Sequence, residues 1–379
     1  MKKRLYLFFV IGLFLLLLLG CNNESSEINS AEETDYSSYE AANRINDEFS
    51  NASGYNGIIN ERPIFHNTKN GKVSYYLYNP KNDENKKLVE IQDFYSCMRF
   101  SVMDGGILYF FLVTGEDGVP KLYKLNTETN DIDVIKHNCD SDPTFSICKC
   151  GNKLVILSKK DEDEIHHRYI EIYDLDTGEW STIREFTYSS ITMEGEYPES
   201  ICSDGETIYT FVHISDKEGN KSAIILLDIN GIEMGNASLS SETSAYIGAT
   251  FFADMRVFGK YVYMLNASNK SLIGTIVNNE FVEIHRDSNA EVCFGYEGVN
   301  PLFFRRFSNE VYEISESGEI IEYKVPVEDK NSQILFGLSD EYTSYLFTVN
   351  VDDTNLEEYG HQKGYVFDRE KLGNIYLPS

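Results

Sequence analysis

The chain has 379 residues, of which 61 are acidic and 33 are Lys or Arg, so its formal charge at pH 7 is −28. Sequence-independent affinity for nucleic acid comes from Lys and Arg that neutralise phosphates, so a nucleic-acid ligand is not expected for so acidic a chain. Anionic lipid would repel the folded body as well, and any membrane attachment therefore needs another source.

The first twenty residues have the pattern of an export signal. Three basic residues at positions 2–4 precede an uncharged apolar run from Leu5 to Leu19, which is the layout of a secretory signal peptide. As a helix, that run would reach roughly 22 Å at about 1.5 Å per residue, short of the roughly 30 Å hydrocarbon core. The segment therefore predicts export rather than a permanent membrane-spanning helix.

The apolar run ends in Leu18-Leu19-Gly20-Cys21. This resembles the lipobox of bacterial lipoproteins, although Leu19 is bulkier than the small residue usual there. Over these first residues the resemblance implies cleavage between Gly20 and Cys21, a diacylglyceryl group on the Cys21 thiol, and acylation of the new amino terminus with chains such as palmitate. Two or three acyl chains, at roughly 0.8 kcal/mol per buried CH₂, anchor a protein durably. We therefore expect a lipoprotein on the extracytoplasmic face of the cell membrane; an ordinary secretory peptide that ends at a cysteine is the alternative.

Residues 22–50 are rich in Ser, Glu and Asn and contain few large apolar side chains. Such a composition cannot bury enough apolar surface to offset its ordering entropy, so it predicts a disordered, flexible tether. A short helix from Tyr39 to Phe49 would be compatible with that role. The predicted organisation is a signal peptide at 1–20, an acylated cysteine with its tether at 21–52, and a folded domain at 53–379.

The folded domain repeats a short apolar segment that follows a glycine turn. Such turns stand at Gly105, Gly151, Gly205 and Gly259, about 46 to 54 residues apart. Polar hairpins follow each segment, with Asn, Asp and Gly supplying the positive φ angles of tight turns. Helical periodicity is nearly absent, and four strands in roughly 45 residues match the blade of a β-propeller.

The repeat predicts an all-β propeller with seven blades. The third strands are expected to centre near residues 75, 122, 171, 225, 274, 312 and 365. Six or eight blades follow if a unit at one end is miscounted. Pairing between strands from the two chain ends would close the ring and remove its exposed edges.

Two segments of the domain carry a resemblance to known propellers. Residues 200–209 resemble the strand-turn-strand motif of TolB-like and WD40-like bacterial propellers, and residues 174–180 are similar to hairpins of PQQ-type and kelch-type blades. No Trp-Asp dipeptide ends the blades, a kelch double glycine occurs only at 105–106, and there is no Asp-box. The resemblance implies a propeller lipoprotein of bacteria, without a specific subfamily or activity.

Six further cysteines occur in the domain. Cys148 and Cys202 each stand three residues before a blade glycine, in predicted first strands, and equivalent positions in neighbouring blades favour small buried thiols near the central axis. One or two disulfides are the alternative, because an exported protein can oxidise its cysteines. A metal site at Cys148-Lys149-Cys150 is only weakly indicated, since zinc motifs usually have a two-residue spacer. The oxidation state is left open for Cys97, Cys139, Cys148, Cys150, Cys202 and Cys293.

Other candidate site residues have simpler structural explanations. The acidic loop 161–164, followed by His166 and His167, offers cation ligands, but it lacks the calcium-loop spacing and is typical of a solvated hairpin tip. Catalytic motifs are missing, so no catalytic residue, cofactor or metal ligand is predicted. Strand formation and blade packing, rather than a sugar-stacking surface, are expected of Tyr75, Tyr76, Tyr109, Tyr209, Tyr261 and Tyr263.

The leading functional hypothesis is a membrane-tethered binding module whose propeller presents one face to an envelope protein, a peptide or a glycan. The alternative is an extracellular polysaccharide hydrolase or lyase with its active site at the mouth of the propeller channel. A sensor or assembly accessory without a small ligand is a third hypothesis. Enzymatic activity is left open, and the binding role is favoured because no motif carries catalytic chemistry.

Overall fold

A computed structural model gives the fold. It describes residues 43–44, 52–115, 118–217, 219–247, 252–266, 268, 270–288, 290–292, 294–295, 302–305, 308, 310–314, 318–324, 332–339, 343–350 and 363–368. The predicted export signal, Cys21 and most of the predicted tether lie outside these residues. None of the helices within them is long and apolar enough to cross a membrane. The first strand is β1 (Asn43–Arg44).

The next strands form three four-stranded meanders, in which each strand pairs antiparallel with the one that follows it in the chain. We name them meanders 1, 2 and 3. Meander 1 contains β2 (Gly54–Ile59), β3 (Arg62–Lys69), β4 (Lys72–Asn79) and β5 (Glu84–Ile91). Meander 2 contains β6 (Phe94–Asp104), β7 (Ile107–Thr114), β8 (Pro120–Asn126) and β9 (Ile132–Ile135). Meander 3 contains β10 (Asp142–Cys150), β11 (Lys153–Glu162), β12 (Ile165–Asp174) and β13 (Trp180–Ser189).

Meanders 4 and 5 continue the same pattern and are separated by a helix. A single residue pair, Tyr188 with Gly195, joins meander 3 to meander 4, and Ser238 with Glu280 joins meander 4 to meander 5. Meander 4 contains β14 (Gly195–Ser203), β15 (Ile208–Asp216), β16 (Gly219–Leu227) and β17 (Glu233–Ser238), followed by helix α1 (Ser241–Ile247). Meander 5 contains β18 (Phe252–Phe258), β19 (Tyr261–Asn266), β20 (Lys270–Val277) and β21 (Glu280–Ser288).

Two further strand groups complete the described part of the chain. Meander 6 contains β22 (Ala290–Val292), β24 (Leu302–Arg305), β25 (Glu310–Ile314) and β26 (Ile320–Lys324). Meander 7 contains β27 (Ser332–Ser339), β28 (Thr343–Asn350) and β29 (Lys363–Asp368), with β1 as its fourth and outermost strand. An added short strand, β23 (Phe294–Gly295), pairs parallel with the innermost strand β27.

The first strands of meanders 1 to 5 lie next to one another, each in contact with the next. β2 contacts β6, β6 contacts β10, β10 contacts β14, and β14 contacts β18. At the end of the chain, β27 contacts β2 and so returns to the start. The sheets therefore surround a common centre, as the repeat predicted.

The apolar core lies between neighbouring meanders. One cluster joins Val155 and Phe186 of meander 3 to Val212 and Ile225 of meander 4, and comparable clusters lie between meanders 1 and 2, 2 and 3, 4 and 5, and 5 and 6. Both faces of an inner strand are therefore covered, which explains continuous apolar runs such as β19, where all six residues are buried.

The expected strand positions are confirmed. Each of the seven expected centres falls in the third strand of a meander, namely β4, β8, β12, β16, β20, β25 or β29. Hairpin residues such as Asn130, Gly178 and Gly231 have positive φ angles of 65°, 72° and 80°. The described residues contain seven meanders, and the number of blades in the complete ring stays a prediction.

The two ends of the described chain pair with each other. In β1, Asn43 lies opposite Val366 and Arg44 opposite Tyr365 of β29. The expectation that strands from the two ends would pair is confirmed. The short helix that the sequence allowed from Tyr39 to Phe49 does not form at these two residues, because pairing with β29 satisfies backbone groups that a sheet edge leaves open.

His66 on β3 predicts a pH-dependent stability. Its side chain is buried, with Nδ1 2.8 Å from Asn56 Oδ1, and burial lowers its pKa from 6.5 to about 4. As pH falls, the unfolded chain therefore binds the proton before the folded chain does. The contribution of neutral His66 to the free energy of unfolding is complete above pH 6.5 and is lost as pH falls towards 4. We expect the free energy of unfolding to fall by about 3 kcal/mol over this range.

Denaturant unfolding at pH 7 and pH 4 measures this loss. His66→Gln should reduce the difference in unfolding free energy between the two pH values, whereas Thr187→Ala, at an exposed position of β13 and without a titratable group, should leave it unchanged. An unaltered pH dependence in His66→Gln would show that other groups cause it.

Candidate functional site

A cleft of about 830 Å³ opens beside meander 4. Residues of β13, β14, β15, β16 and α1 line it, together with Met193 of the loop that enters β14. A cleft of this size is in the range that holds small molecules and cofactors.

Local structure places the polar side chains of the cleft. The β15–β16 hairpin pairs His213 directly with Ser222. The register of β14 shifts between Pro198 and Ser200, and Glu199 occupies this irregularity. A bulge of this kind re-aims the side chain that it carries.

Helix α1 forms the opposite wall of the cleft. It begins after Ser240, whose Oγ accepts a hydrogen bond from the backbone N–H of Thr243 at 3.1 Å, as a helix N-cap does. The buried Thr243 and Ile247 fix the helix against the sheet. Ser244 and Ala245 line the cleft.

Three polar side chains of the cleft stand in a row. Ser222 Oγ is within hydrogen-bond distance of His213 Nδ1, at 3.1 Å, and His213 Nε2 lies 3.2 Å from Glu199 Oε2 as an ion-pair contact. In a neutral imidazole that carries its proton on Nε2, Nδ1 can accept the serine proton. A hydroxyl, a base and an orienting carboxylate thus stand in series, which is the arrangement of an activated nucleophile.

Arg168 supports the aromatic residues of the cleft, Tyr188 and Tyr197. Arg168 is buried, and its Nη2 donates to the Tyr197 hydroxyl at 2.9 Å while Nη1 donates to Asp161 Oδ1 at 2.7 Å. Burial lowers the pKa of Arg168, but these two hydrogen bonds outweigh it and raise the pKa above its ordinary value. Tyr188 lies edge-on to Tyr197, with ring centroids 6.1 Å apart. The two tyrosines therefore offer an ordered apolar surface.

The hydroxyl of Ser244 is unsatisfied within the described part of the chain. Ser244 Oγ is shielded from solvent and makes no hydrogen bond to the residues that the structure describes. Leaving a shielded polar atom unsatisfied costs about 1–3 kcal/mol. Because the atom is shielded, a ligand in the cleft does not reach it in this conformation.

A second polar cluster lies where the chain passes from meander 2 to meander 3. Glu171 of β12 is only 1% exposed, and it accepts hydrogen bonds from Ser141 at 2.5 Å and Ser158 at 2.6 Å. His137 Nε2 lies 2.8 Å from the same carboxylate. Burial raises the pKa of Glu171, but these three hydrogen bonds outweigh it and hold the pKa below its usual value. The side chain is therefore a carboxylate at neutral pH.

Cys139 completes this second cluster. One ligand-type atom from each of His137, Cys139 and Glu171 lies within 4.8 Å of the other two. Burial, and then the charge of Glu171, raise the pKa of the Cys139 thiol to about 11. No local sequence pattern joins the three residues, because His137 and Cys139 lie in the loop between β9 and β10 whereas Glu171 lies in β12.

The structure tests part of the cysteine predictions. Cys21, Cys293 and the side chain of Cys97 lie outside the described residues. Cys202 is a buried free thiol in the first strand β14, as predicted, and burial raises its pKa. Cys139 is a half-buried free thiol.

Cys148 and Cys150 lie on one face of β10, as strand alternation predicted. Cys150 belongs to the apolar cluster between meanders 3 and 4, and the half-buried Cys148 packs against the same cluster. Cys202 of β14 lies close enough to Cys148 for the two thiols to interact. Within the described residues, neither Cys148 nor Cys150 belongs to a group of three ligand atoms within 4.8 Å of one another.

The acidic loop forms an ion-pair network at a hairpin tip. Asp161 interacts with Arg168, and with His166 Nδ1 at 2.9 Å. His167 Nδ1 lies 2.8 Å from Glu185. Partners of this kind explain the loop as a solvated structural feature, which agrees with the simpler of the two sequence interpretations.

The six singled-out tyrosines pack within and between meanders. Tyr75, Tyr109, Tyr261 and Tyr263 are buried. Tyr76 and Tyr209 are half-buried. None of the six lines the cleft, whose aromatic residues are Tyr188 and Tyr197. The expectation of a packing role is confirmed.

Comparisons with known proteins define the fold. No family model matches the sequence, and no curated protein matches it. An oligogalacturonate lyase in complex with manganese superposes with a TM-score of 0.53 at 12% identity, covering 83% of this chain and 89% of that chain. The oligogalacturonate lyase of Vibrio parahaemolyticus superposes with a TM-score of 0.49 at 12% identity, covering 84% of this chain and 90% of that chain. The virginiamycin B lyase of Staphylococcus aureus superposes with a TM-score of 0.47 at 15% identity, covering 85% of this chain and 97% of that chain. At such identities a likeness shows the fold alone: the chain is a β-propeller.

Proposed function

We propose that the protein is a lipid-anchored, extracytoplasmic binding module that holds a short neutral glycan in the cleft beside meander 4. The observation that carries this proposal is the combination of the Tyr188–Tyr197 surface with the polar side chains of Glu199 and Asn220, which line the same cleft. A sugar ring presents an apolar C–H face and a rim of hydroxyls, and this cleft offers a partner to each.

Charge favours a neutral saccharide over an acidic one. The chain carries a net charge of −28, and Glu199 contributes a carboxylate to the cleft itself. Lys221 lines the cleft but lies 3.7 Å from Asp216, so its charge is partly balanced. Hydroxyl groups can instead pair with Glu199 and Asn220 without bringing in a further negative charge.

Position in the cell envelope supports the same role. The predicted acyl chains on Cys21 would keep the propeller at the outer surface of the membrane, where glycans of the envelope are within reach. An envelope protein or peptide is the alternative partner. The description of the cleft rests on its lining residues and does not depend on the lipid anchor or on the class of partner.

Calorimetric titration of the full-length protein, extracted in detergent, tests the glycan. The probes are chitotetraose, cellotetraose and maltotetraose, with tetragalacturonate as the acidic comparison. We expect one neutral tetrasaccharide to bind more tightly than tetragalacturonate. Tyr197→Ala should weaken that binding about tenfold, since an aromatic contact contributes roughly 0.5–1.5 kcal/mol.

Tyr169→Ala is the matched control, because Tyr169 is a half-buried tyrosine of β12 that does not line the cleft. It should leave saccharide binding unchanged. Equal binding by the Tyr197 and Tyr169 variants, or no binding of any neutral probe, would remove the proposal.

The Glu199–His213–Ser222 chain favours a second candidate, a polysaccharide hydrolase or lyase. His213 is placed to accept a proton either from Ser222 or from a substrate carbon, and Glu199 would orient it. For this candidate, the full-length protein should cleave one of the same tetrasaccharides, and His213→Gln should abolish turnover while leaving binding within a few-fold. Binding without product formation in the unmodified protein would exclude it for these substrates.

A further inference from the structure

We propose that His137, Cys139 and Glu171 bind a divalent transition-metal ion of the zinc type. The three side chains offer an imidazole nitrogen, a thiol sulfur and a carboxylate oxygen within 4.8 Å of one another. The proposal concerns a site separate from the cleft, and it does not depend on the function proposed above.

The spacing of the three atoms suits tetrahedral coordination. With Zn–N and Zn–O bonds of about 2.0–2.2 Å and a Zn–S bond of about 2.3 Å, neighbouring ligand atoms stand roughly 3.5 Å apart. His137 Nε2 and Glu171 Oε2 now lie at 2.8 Å, joined through a proton. Replacing that proton with a metal ion requires the pair to open by less than 1 Å.

The type of ligand selects the class of metal. Calcium and magnesium take oxygen ligands, so a thiol and an imidazole argue against both. Zinc, and cobalt as its spectroscopic substitute, accept nitrogen, sulfur and oxygen together. Three protein ligands leave one tetrahedral position for water or a substrate atom.

The surroundings of the site already orient its ligands. Ser141 and Ser158 donate to the two oxygens of Glu171. The Trp180 ring lies edge-on to His137 with centroids 4.5 Å apart, and its Nε1 donates to the backbone oxygen of Lys136 at 3.0 Å. Outer groups that fix ligand orientation are typical of metal sites.

The charge balance around Glu171 also favours a bound divalent ion. Glu171 is a buried carboxylate whose direct partners, apart from His137, are neutral donors. A buried charge with incomplete compensation is costly. A divalent ion would balance both this carboxylate and the Cys139 thiolate, and its binding would release the thiol proton to solvent.

Cobalt absorption tests the site in the full-length protein, extracted in detergent and treated with a chelator. Addition of Co²⁺ should give one bound ion per chain and a sulfur-to-cobalt charge-transfer band in the ultraviolet. Zn²⁺ should displace the cobalt and abolish the band. Cys139→Ser should lose the band, and Ser158→Ala should weaken metal binding about 10–100-fold, as expected for a group that orients a ligand.

Cys148→Ser is the matched control, because it removes another half-buried thiol and should keep both band and stoichiometry. Absence of the band in the unmodified protein, or the same band in Cys139→Ser, would show that the cluster is only a hydrogen-bond network. If Glu171→Gln fails to fold, Cys139→Ser still decides the question, since it leaves the buried carboxylate and its serine donors in place.

Discussion

Replacing Gly231 with alanine is expected to lower the free energy of unfolding by about 4 kcal/mol. Gly231 lies in the β16–β17 hairpin with φ +80°, a conformation that costs other residues about 1–3 kcal/mol. A Cβ at this position would also overlap the backbone carbonyl of Ile183 on β13. Backbone cannot rotate away as a side chain can, so an overpacking cost of about 1–3 kcal/mol adds to the strain.

Gly205→Ala separates these two causes. Gly205 also has a positive φ, +98°, but a Cβ there would have no heavy atom within 4 Å. Its replacement should cost only the conformational strain, about 1–3 kcal/mol. Denaturant unfolding of both variants beside the parent protein measures the difference. Equal destabilisation would mean that the close approach of meanders 3 and 4 at Gly231 adds nothing.

Replacing Cys21 with serine is expected to move the protein from the membrane fraction to the soluble fraction, or to leave it as an unprocessed precursor. Serine has no thiol to receive the diacylglyceryl group, and each lost acyl chain removes on the order of 10 kcal/mol of bilayer affinity. Fractionation followed by immunoblotting measures the distribution, and metabolic labelling with a palmitate analogue measures acylation.

Cys139→Ser is the control for the anchor, because it removes a different thiol. It should fractionate and label as the parent protein does. If Cys21→Ser also remained in the membrane fraction, fully processed and labelled, the attachment point would lie elsewhere in the chain.

The strands could be predicted from sequence because their signals are local. Glycine turns and alternating apolar residues recur within each meander, and they place third strands such as β12 and β16 without any knowledge of the partners. The pairing of β1 with β29 was expected only in general terms. Its two residues carry no apolar pattern of their own, so their position could not be predicted.

The two candidate sites depend on contacts that a local pattern does not contain. The turn between Asp216 and Gly219 sets the hairpin register that brings His213 opposite Ser222, so this pair could have been found from the hairpin alone. The position of Glu199 depends on an irregularity in β14, which no sequence signal marked. His137 meets Glu171 because the loop between β9 and β10 brings it beside β12, a contact between residues 34 positions apart.

The pairing of β1 with β29 also sets the order in which the chain can fold. Meanders 1 to 6 form from consecutive residues, whereas the last sheet combines Asn43–Arg44 with strands that end at Asp368. Contacts so distant in sequence are slow to form, because the chain loses the entropy of closing a long loop before the contact stabilises it. Ring closure should therefore be the final step of folding. A chain that stops before Lys363 would leave β28 as an open sheet edge, which favours association with other unfinished chains.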